Sequence, residues 1–239
     1  MENKIKKLSD MIEESNNIVF FSGAGVSTDS GIRDFRGKNG LYKDTYQDEN
    51  PEYLLSNYCF YSEPEKFFNY YKDTFNCLDI KPNITHLYLK ELEKRGKLKA
   101  VVTQNIDGLH TKAGNDKVYE IHGTIYRNYC LKCGKEYGPE KIFKAKIIPK
   151  CKCGGTIKPS VVLYGESLPE DVYKGAIEAI CKADMLIIAG TSLTVYPASG
   201  MVNYFHGKYL VIINNDATSL DNKANLVINE NISEIFKKL

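Results

Sequence analysis

The stretch FFSGAGVSTDSGIRDFRG, residues 20–37, decides how the rest of the chain is read. An apolar run ends in a glycine-rich turn, as in the phosphate loop of a dinucleotide-binding fold. Gly23 and Gly25 take the first two places of G-x-G-x-x-G, and the amides around Ala24 can cradle a pyrophosphate at a helix N-terminus. Thr28 stands in the third glycine's place, and no second strand ending in an acid follows about 20 residues on. The dehydrogenase fingerprint is therefore broken. Asp34, Phe35 and Arg36 follow just beyond the loop, where a packed helix should begin.

Outward from this loop, the runs NIVFFSG, KAVVTQN, DMLIIAG and YLVIINN read as buried strands, unbroken in Val, Ile and Leu. Helical patterns lie between them. Asn83 can cap ITHLYLKELEKR, which Gly96 stops. PEDVYKGAIEAICKA opens with Pro169 and two acids, and ISEIFKKL closes the chain. The alternation predicts an α/β fold, a Rossmann-like doubly wound parallel sheet. Two segments interrupt it. Residues 39–79, rich in Tyr and Phe, predict a helical insertion. Residues 126–158, lysine-rich and bracketed by cysteines, predict a small metal-binding module. Residues 1–38, 80–125 and 159–239 are left as the dinucleotide-binding part of a single domain spanning 1–239.

The 239 residues carry a formal net charge of +2, and with a pI near 8.0 they give no general argument for nucleic acid or a membrane surface. No apolar run approaches the roughly 20 residues that span a bilayer. MENKIKKLSDMIEESNN reads as an amphipathic helix and not a signal peptide, so a cytoplasmic location is expected. The seven cysteines are an odd number. Cys130, Cys133, Cys151 and Cys153 are spaced C-x2-C and C-x-C, as in a closed four-thiolate zinc site of structural type. Cys59, Cys77 and Cys181 stand apart and read as buried, inert thiols.

Two further motifs follow strands. TQNIDGLH, residues 103–110, puts Gln104, Asn105 and Asp107 at a strand exit, where open α/β sheets bind ligands. VYEIHG puts His122 after another apolar run. Each has an ordinary structural reading too: loop capping for the first three, a packed ring for the histidine. His86, His110 and His206 read as structural.

Taken together and in this order, GAGVSTDSGIRDFRG, TQNIDGLH, IHG, the four-cysteine insert, VVLYGE, GTSLTVYPA and INN resemble the sirtuin family over essentially the whole chain. The resemblance implies an NAD-dependent protein-lysine deacylase that cleaves NAD, with structural zinc and an acylated-lysine protein as substrate. It explains the broken glycine motif, because hydride transfer is not the task. It also assigns roles. Gly23, Ala24, Gly25 and Thr28 border the diphosphate and ribose, and Arg36 helps to place them. Phe35 screens the reacting carbon from water. Gln104 and Asn105 hold the ribose and an ordered water, and Ile106 with Asp107 takes the nicotinamide carboxamide. His122 is the general base, with Asn105 as its catalytic companion. Gly190, Thr191, Ser192 and Asn214 bind the adenosine ribose and nearby phosphate, with Asn215 and Ile232 near the adenine. Val161, Tyr164, Gly165 and Glu166 pair with substrate backbone by strand addition, with Leu193 and Val195 opposite.

The chemistry implied needs these residue types. The acyl-lysine oxygen is a weak nucleophile and must be held in line with the ribose carbon that nicotinamide leaves. A histidine titrating near the working pH can then take a proton from the ribose hydroxyls. The products are nicotinamide, free lysine and O-acetyl-ADP-ribose. The chain departs from the family at two places: Arg33 stands where proline is usual, and Tyr164 where phenylalanine is. Acidic-acyl deacylases of the family carry Tyr-x-x-Arg in the insertion. Here Tyr71 is followed by Thr74, which lacks the cation a carboxylate needs, so a neutral acyl group is expected. A preference for other acyl groups, a mono-ADP-ribosyltransferase, and a zinc-ribbon nucleic-acid binder with a dead nucleotide fold are the rival readings.

Overall fold

The computed structural model describes residues 1–37, 40–43, 45, 46 and 48–239. An amphipathic helix, α1 (Glu2–Glu14), leads into β1 (Ile18–Ser22), and a 3-10 helix over Ala24–Ser30 follows the strand. Three short helices come next: α2 (Pro51–Leu54), α3 (Asn57–Ser62) and α4 (Pro64–Phe75). Then the α/β rhythm resumes with α5 (Ile84–Lys94), β2 (Leu98–Thr103), α6 (Leu109–Lys112) and β3 (Val118–Glu120). The small module holds β4 (Gly123–Cys130), β5 (Glu136–Tyr137), α7 (Glu140–Phe143) and β6 (Ile157–Val161). The chain finishes with α8 (Glu170–Lys182), β7 (Met185–Ala189), β8 (Tyr209–Ile213), β9 (Leu226–Ile228) and α9 (Ile232–Phe236).

Six strands form one parallel sheet in the order β3-β2-β1-β7-β8-β9. From β1 the chain runs outward to one side and later returns to the other, so the strand order reverses between β1 and β7. That reversal is the switch point at which doubly wound sheets bind ligands, at the carboxyl ends of the strands. Every residue of β1 and β7 is buried, which is why the two strands read as unbroken apolar runs. Alternate side chains feed two cores. Phe20 and Ile187 pack on one face beneath α1, α5 and α9, whereas Phe21 and Ile188 pack on the other beneath α8.

Helix ends follow the local chemistry. The Asn83 side chain accepts from the Thr85 N–H at 3.0 Å, and the His86 ring completes a capping box. Glu170 and Asp171 open α8 behind Pro169. The 3-10 helix after β1 is tighter than the α-helix a phosphate loop usually opens. Its Ser, Thr and Asp side chains compete for backbone groups, as when the Thr28 hydroxyl donates to the Gly25 carbonyl at 3.0 Å.

The cysteine segment forms a three-stranded antiparallel sheet, β5-β4-β6. The short helices and this sheet share one core, in which Phe67, Phe68 and Tyr71 meet Ile142, Ile157 and Cys151. The expected boundary between residues 38 and 39 lies outside the described residues. One expectation is corrected: Cys59 and Cys77 are buried, but Cys181 is exposed. It follows Ile180 on α8, and one step of about 100° turns it off the buried face that Ile180 and Ala176 form. Among the described residues, no helix is long and apolar enough to cross a membrane.

Candidate functional site

A cavity of about 1070 Å³ opens along the carboxyl ends of the parallel strands. The loops after β1 and β7 meet across its floor. The Gly23 N–H donates to the Ala189 carbonyl at 3.0 Å, and that of Gly25 to the Gly190 carbonyl at 2.9 Å. A Cβ on Gly25 would lie 2.8 Å from the Gly190 Cα, so glycine is what permits the approach. Ala24 and Thr28 line the same floor.

Behind it lies a buried polar cluster. The Asn105 side chain donates to the Ser27 hydroxyl at 3.1 Å, and Ser27 donates to an Asp107 carboxyl oxygen at 2.7 Å. The other Asp107 oxygen accepts the Leu109 N–H at 2.9 Å. Burial pushes the Asp107 carboxyl above the usual carboxylate range, and these donors partly hold it down. Ile106 lines the cavity beside them. Ser27 has no place in the sequence reading. Its signal was present, a small hydroxyl two residues after Gly25, but only the fold brings β2's exit loop onto it.

His122 stands at the mouth of this cluster. A ring nitrogen, Nδ1, lies 3.0 Å from the Gln104 carbonyl oxygen. A carbonyl only accepts, so Nδ1 carries the proton and Nε2 is the basic nitrogen of the neutral ring. Burial lowers the His122 pKa below its usual value, against the opposing pull of the Gln104 carbonyl. The Gln104 side chain donates to the Thr191 hydroxyl at 2.9 Å, tying this loop to the one after β7.

The remaining expected residues fall into two groups. Gly190, Thr191, Ser192, Val195, Asn214, Asn215 and Ile232 line the cavity. Leu193 does not line it. Its side chain is 7 % exposed, packs into the core beneath α8 and sits at φ 56°, so its expected substrate contact is left to its backbone. On the other side, Phe35 packs edge-on against Tyr42 with ring centroids 5.4 Å apart. The Asp34 carboxyl accepts the Gly37 N–H at 3.1 Å, which holds the turn behind Phe35. Arg36 lies over the Tyr42 ring at 4.8 Å and pairs with Glu52 at 3.5 Å, an exposed pair of small energetic weight.

Val161, Tyr164, Gly165 and Glu166 also wall the cavity, but Tyr164 cannot offer its backbone to an added strand. Its N–H donates to the Leu55 carbonyl at 3.0 Å, and its carbonyl accepts the Asn57 N–H at 2.9 Å. The insertion already occupies that edge, which the sequence could not show. The Tyr164 hydroxyl also bonds to that of Tyr42, a contact that phenylalanine could not make. Tyr71 and Thr74 both line the cavity.

The Sγ atoms of Cys130, Cys133, Cys151 and Cys153 all lie within 4.8 Å of one another. Three of the pairs measure 3.5, 3.5 and 3.7 Å. Zinc bonded to four thiolates at about 2.3 Å in a tetrahedron would set them about 3.8 Å apart. The cluster therefore fits zinc, with all four positions taken by protein. The Tyr137 hydroxyl donates to the Cys151 sulfur at 3.0 Å, a second contact that steadies a thiolate.

The comparisons with known proteins agree with this geometry. The profile of the Sir2 family matches residues 23–197. The chain is 54% identical over 242 residues to an NAD-dependent protein deacetylase of Clostridium perfringens (strain 13 / Type A), covering 100% of this chain and 99% of the relative. Two solved Sir2 structures superpose closely. One holds a deacetylated p53 peptide with 3'-O-acetyl-ADP-ribose (TM-score 0.91, 38% identity, covering 98% of this chain and 96% of that one). The other holds a p53 peptide with NAD+ (TM-score 0.86, 38% identity, covering 98% and 96%). The whole-length identity, the parallel sheet and the four-cysteine module together make this chain a member of the Sir2, or sirtuin, family.

Proposed function

We propose that the cleft described above carries out NAD-dependent deacetylation of lysine side chains in proteins, with the roles that follow. One observation carries the assignment: a neutral histidine of fixed tautomer shares a single cavity with a buried Asn105–Ser27–Asp107 cluster and with the glycine loop. The residues fit NAD. The cavity, of about 1070 Å³, has room for a dinucleotide, its floor is backbone too crowded for a Cβ, and Asp107 and Asn105 offer amide partners. Bound NAD supplies an electrophilic ribose carbon and a nicotinamide leaving group.

The chain's own residues do the rest. Asp107 and the backbone at Ile106 hold the carboxamide, and Asn105 holds the ribose side. Gln104, fixed by Thr191, positions the loop that also fixes His122. Phe35 excludes water from the reacting carbon. The Nε2 of His122 takes the ribose hydroxyl proton once nicotinamide has left. Thr191, Ser192 and Asn214 bind the adenosine end, with Asn215 and Ile232 at its edge. Gly165, Glu166, the Leu193 backbone and Val195 border the acyl-lysine, and Thr74 offers no cation to an acyl carboxylate, which suits a neutral acyl group. We place the four cysteines around a structural zinc, take residues 1–239 as one catalytic domain, and assign the chain to the cytoplasm.

The test is to incubate the protein with NAD and acetyl-, longer neutral acyl- and succinyl-lysine peptides, and to identify products by mass. Free lysine peptide, nicotinamide and O-acetyl-ADP-ribose are expected with the acetyl peptide. ADP-ribosylated protein formed without acyl-lysine would instead favour the transferase reading. Preference for the succinyl peptide would overturn the argument from Thr74.

A further inference from the structure

Lys158 is 5 % exposed, an unusual place for an ammonium. Its hydrogen bonds go to the end of β6 and to the turn after it, which walls the acyl-lysine side of the cavity, and its Nζ lies 5.9 Å from the centre of the Phe60 ring of α3. It donates to the carbonyls of Val161 at 3.2 Å and Pro159 at 3.4 Å, and to a Glu166 carboxyl oxygen at 3.1 Å. The same Glu166 oxygen accepts the Leu163 N–H at 3.0 Å. One buried charge thus fastens both ends of the segment 161–166, while its middle is held from outside by Leu55 and Asn57. Lys158 itself does not line the cavity.

On the reading of the cleft given above, we infer that Lys158 is a positioning residue for the acyl-lysine substrate, acting through Glu166 and the Val161 carbonyl. Without the ammonium, the Val161 carbonyl loses its side-chain donor and the partly buried Glu166 carboxylate is left with one N–H. The turn then relaxes, and Gly165 and Glu166 no longer present a fixed edge to the substrate. The NAD end is built from the loops after β1, β2, β7 and β8, which among the described residues make no hydrogen bond to Lys158 or the Glu166 carboxylate, so its geometry is retained; the turn meets His122 through the Val162 N–H, which donates to the His122 carbonyl at 2.9 Å. Arginine keeps the charge and can reach the same carboxylate.

The experiment compares Lys158→Met, Lys158→Arg and Glu166→Gln with the unmodified protein, using an acetyl-lysine peptide and NAD. NAD-dependent deacetylation by the unmodified protein is established first, and its absence would count against the function of the cleft, not against Lys158. Lys158→Met is expected to raise the KM for peptide by about tenfold or more, with the Kd for NAD within about threefold. Lys158→Arg should recover most of the peptide KM. Glu166→Gln, which leaves the lysine and its carbonyl bonds in place, should move the peptide KM in the same direction and serves if Lys158→Met does not fold. An unchanged peptide KM overturns the inference. So does a fall in NAD affinity and melting temperature in step with the rise in KM, because a merely structural lysine would produce that.

Discussion

His122 illustrates how one backbone contact sets a chemical role. Because Nδ1–H is committed to the Gln104 carbonyl, the basic nitrogen is Nε2, and burial keeps the ring neutral to lower pH than a free imidazole. A general base must be unprotonated, so the acid limb of kcat/KM is expected below pH 6.5, the usual value for histidine. A limb at or above that pH would contradict the assignment. His122→Ala should cut deacetylation by about 10²–10⁴-fold. NAD binding and nicotinamide exchange should suffer less, since the base acts after nicotinamide departs. Equal loss of both rates in a destabilised protein would make the ring structural. Ser27 shows the opposite case: its hydroxyl is plain in the sequence, but only the fold lets it join Asn105 to Asp107.

At the scale of elements, two short pieces depend on single features. Between its two cysteine pairs, the module around β4, β5 and β6 has only a two-residue strand and one turn of helix. So small a unit needs its metal to fold. Cys151→Ser is expected to lose zinc, measured by elemental analysis, together with soluble yield. A metal-free protein of normal yield and activity would refute a structural zinc. The start of α5 depends on Asn83, whose side chain caps the helix and also donates to the Val26 carbonyl at 2.8 Å, steadying the 3-10 helix that floors the cavity. Asn83→Ala should cost about 1 kcal/mol in urea unfolding, the usual loss for such a cap, and it should weaken NAD binding besides. A weakened cap with unaltered NAD affinity would mean that the Val26 contact does not reach the site.

The whole molecule carries a cost at acid pH in its core. His86 and His110 lie with ring centroids 4.7 Å apart, both buried, and His110 Nε2 is 3.0 Å from the Ser22 hydroxyl. Burial lowers the His86 pKa to about 4 and that of His110 well below its usual 6.5. The unfolded chain binds protons at these sites before the folded one does. Stability is therefore full above about pH 6.5 and falls as the pH drops, for His86 down to about 4, by about 1.4 kcal/mol per pH unit for each histidine. Urea unfolding at pH 7, 5.5 and 4.5 should show that decline. His86→Gln and His110→Gln should each flatten it, and a decline identical in both variants would point to other groups.

Local chemistry determined most of the architecture. The central strands are apolar on both faces and so read as continuous runs, and Asn83, Gly96 and Pro169 mark helix ends because their backbone and side-chain groups act within a few residues. The cysteine spacing and the ordered motifs were legible for the same reason. The edge strand β9 was not, because three residues carry too little pattern, and Cys181 was misjudged because an exposed helix face depends on what packs opposite. Tertiary structure alone decided which tautomer His122 holds and that Ser27 bridges Asn105 and Asp107. It also decided that Leu193 turns into the core, that the insertion occupies the edge at Tyr164, and that Lys158 fastens the turn beside it. The His122 tautomer, the Ser27 bridge and the edge at Tyr164 depend on groups distant in sequence meeting within about 3 Å, and periodicity records only which faces are apolar, not which loops come together.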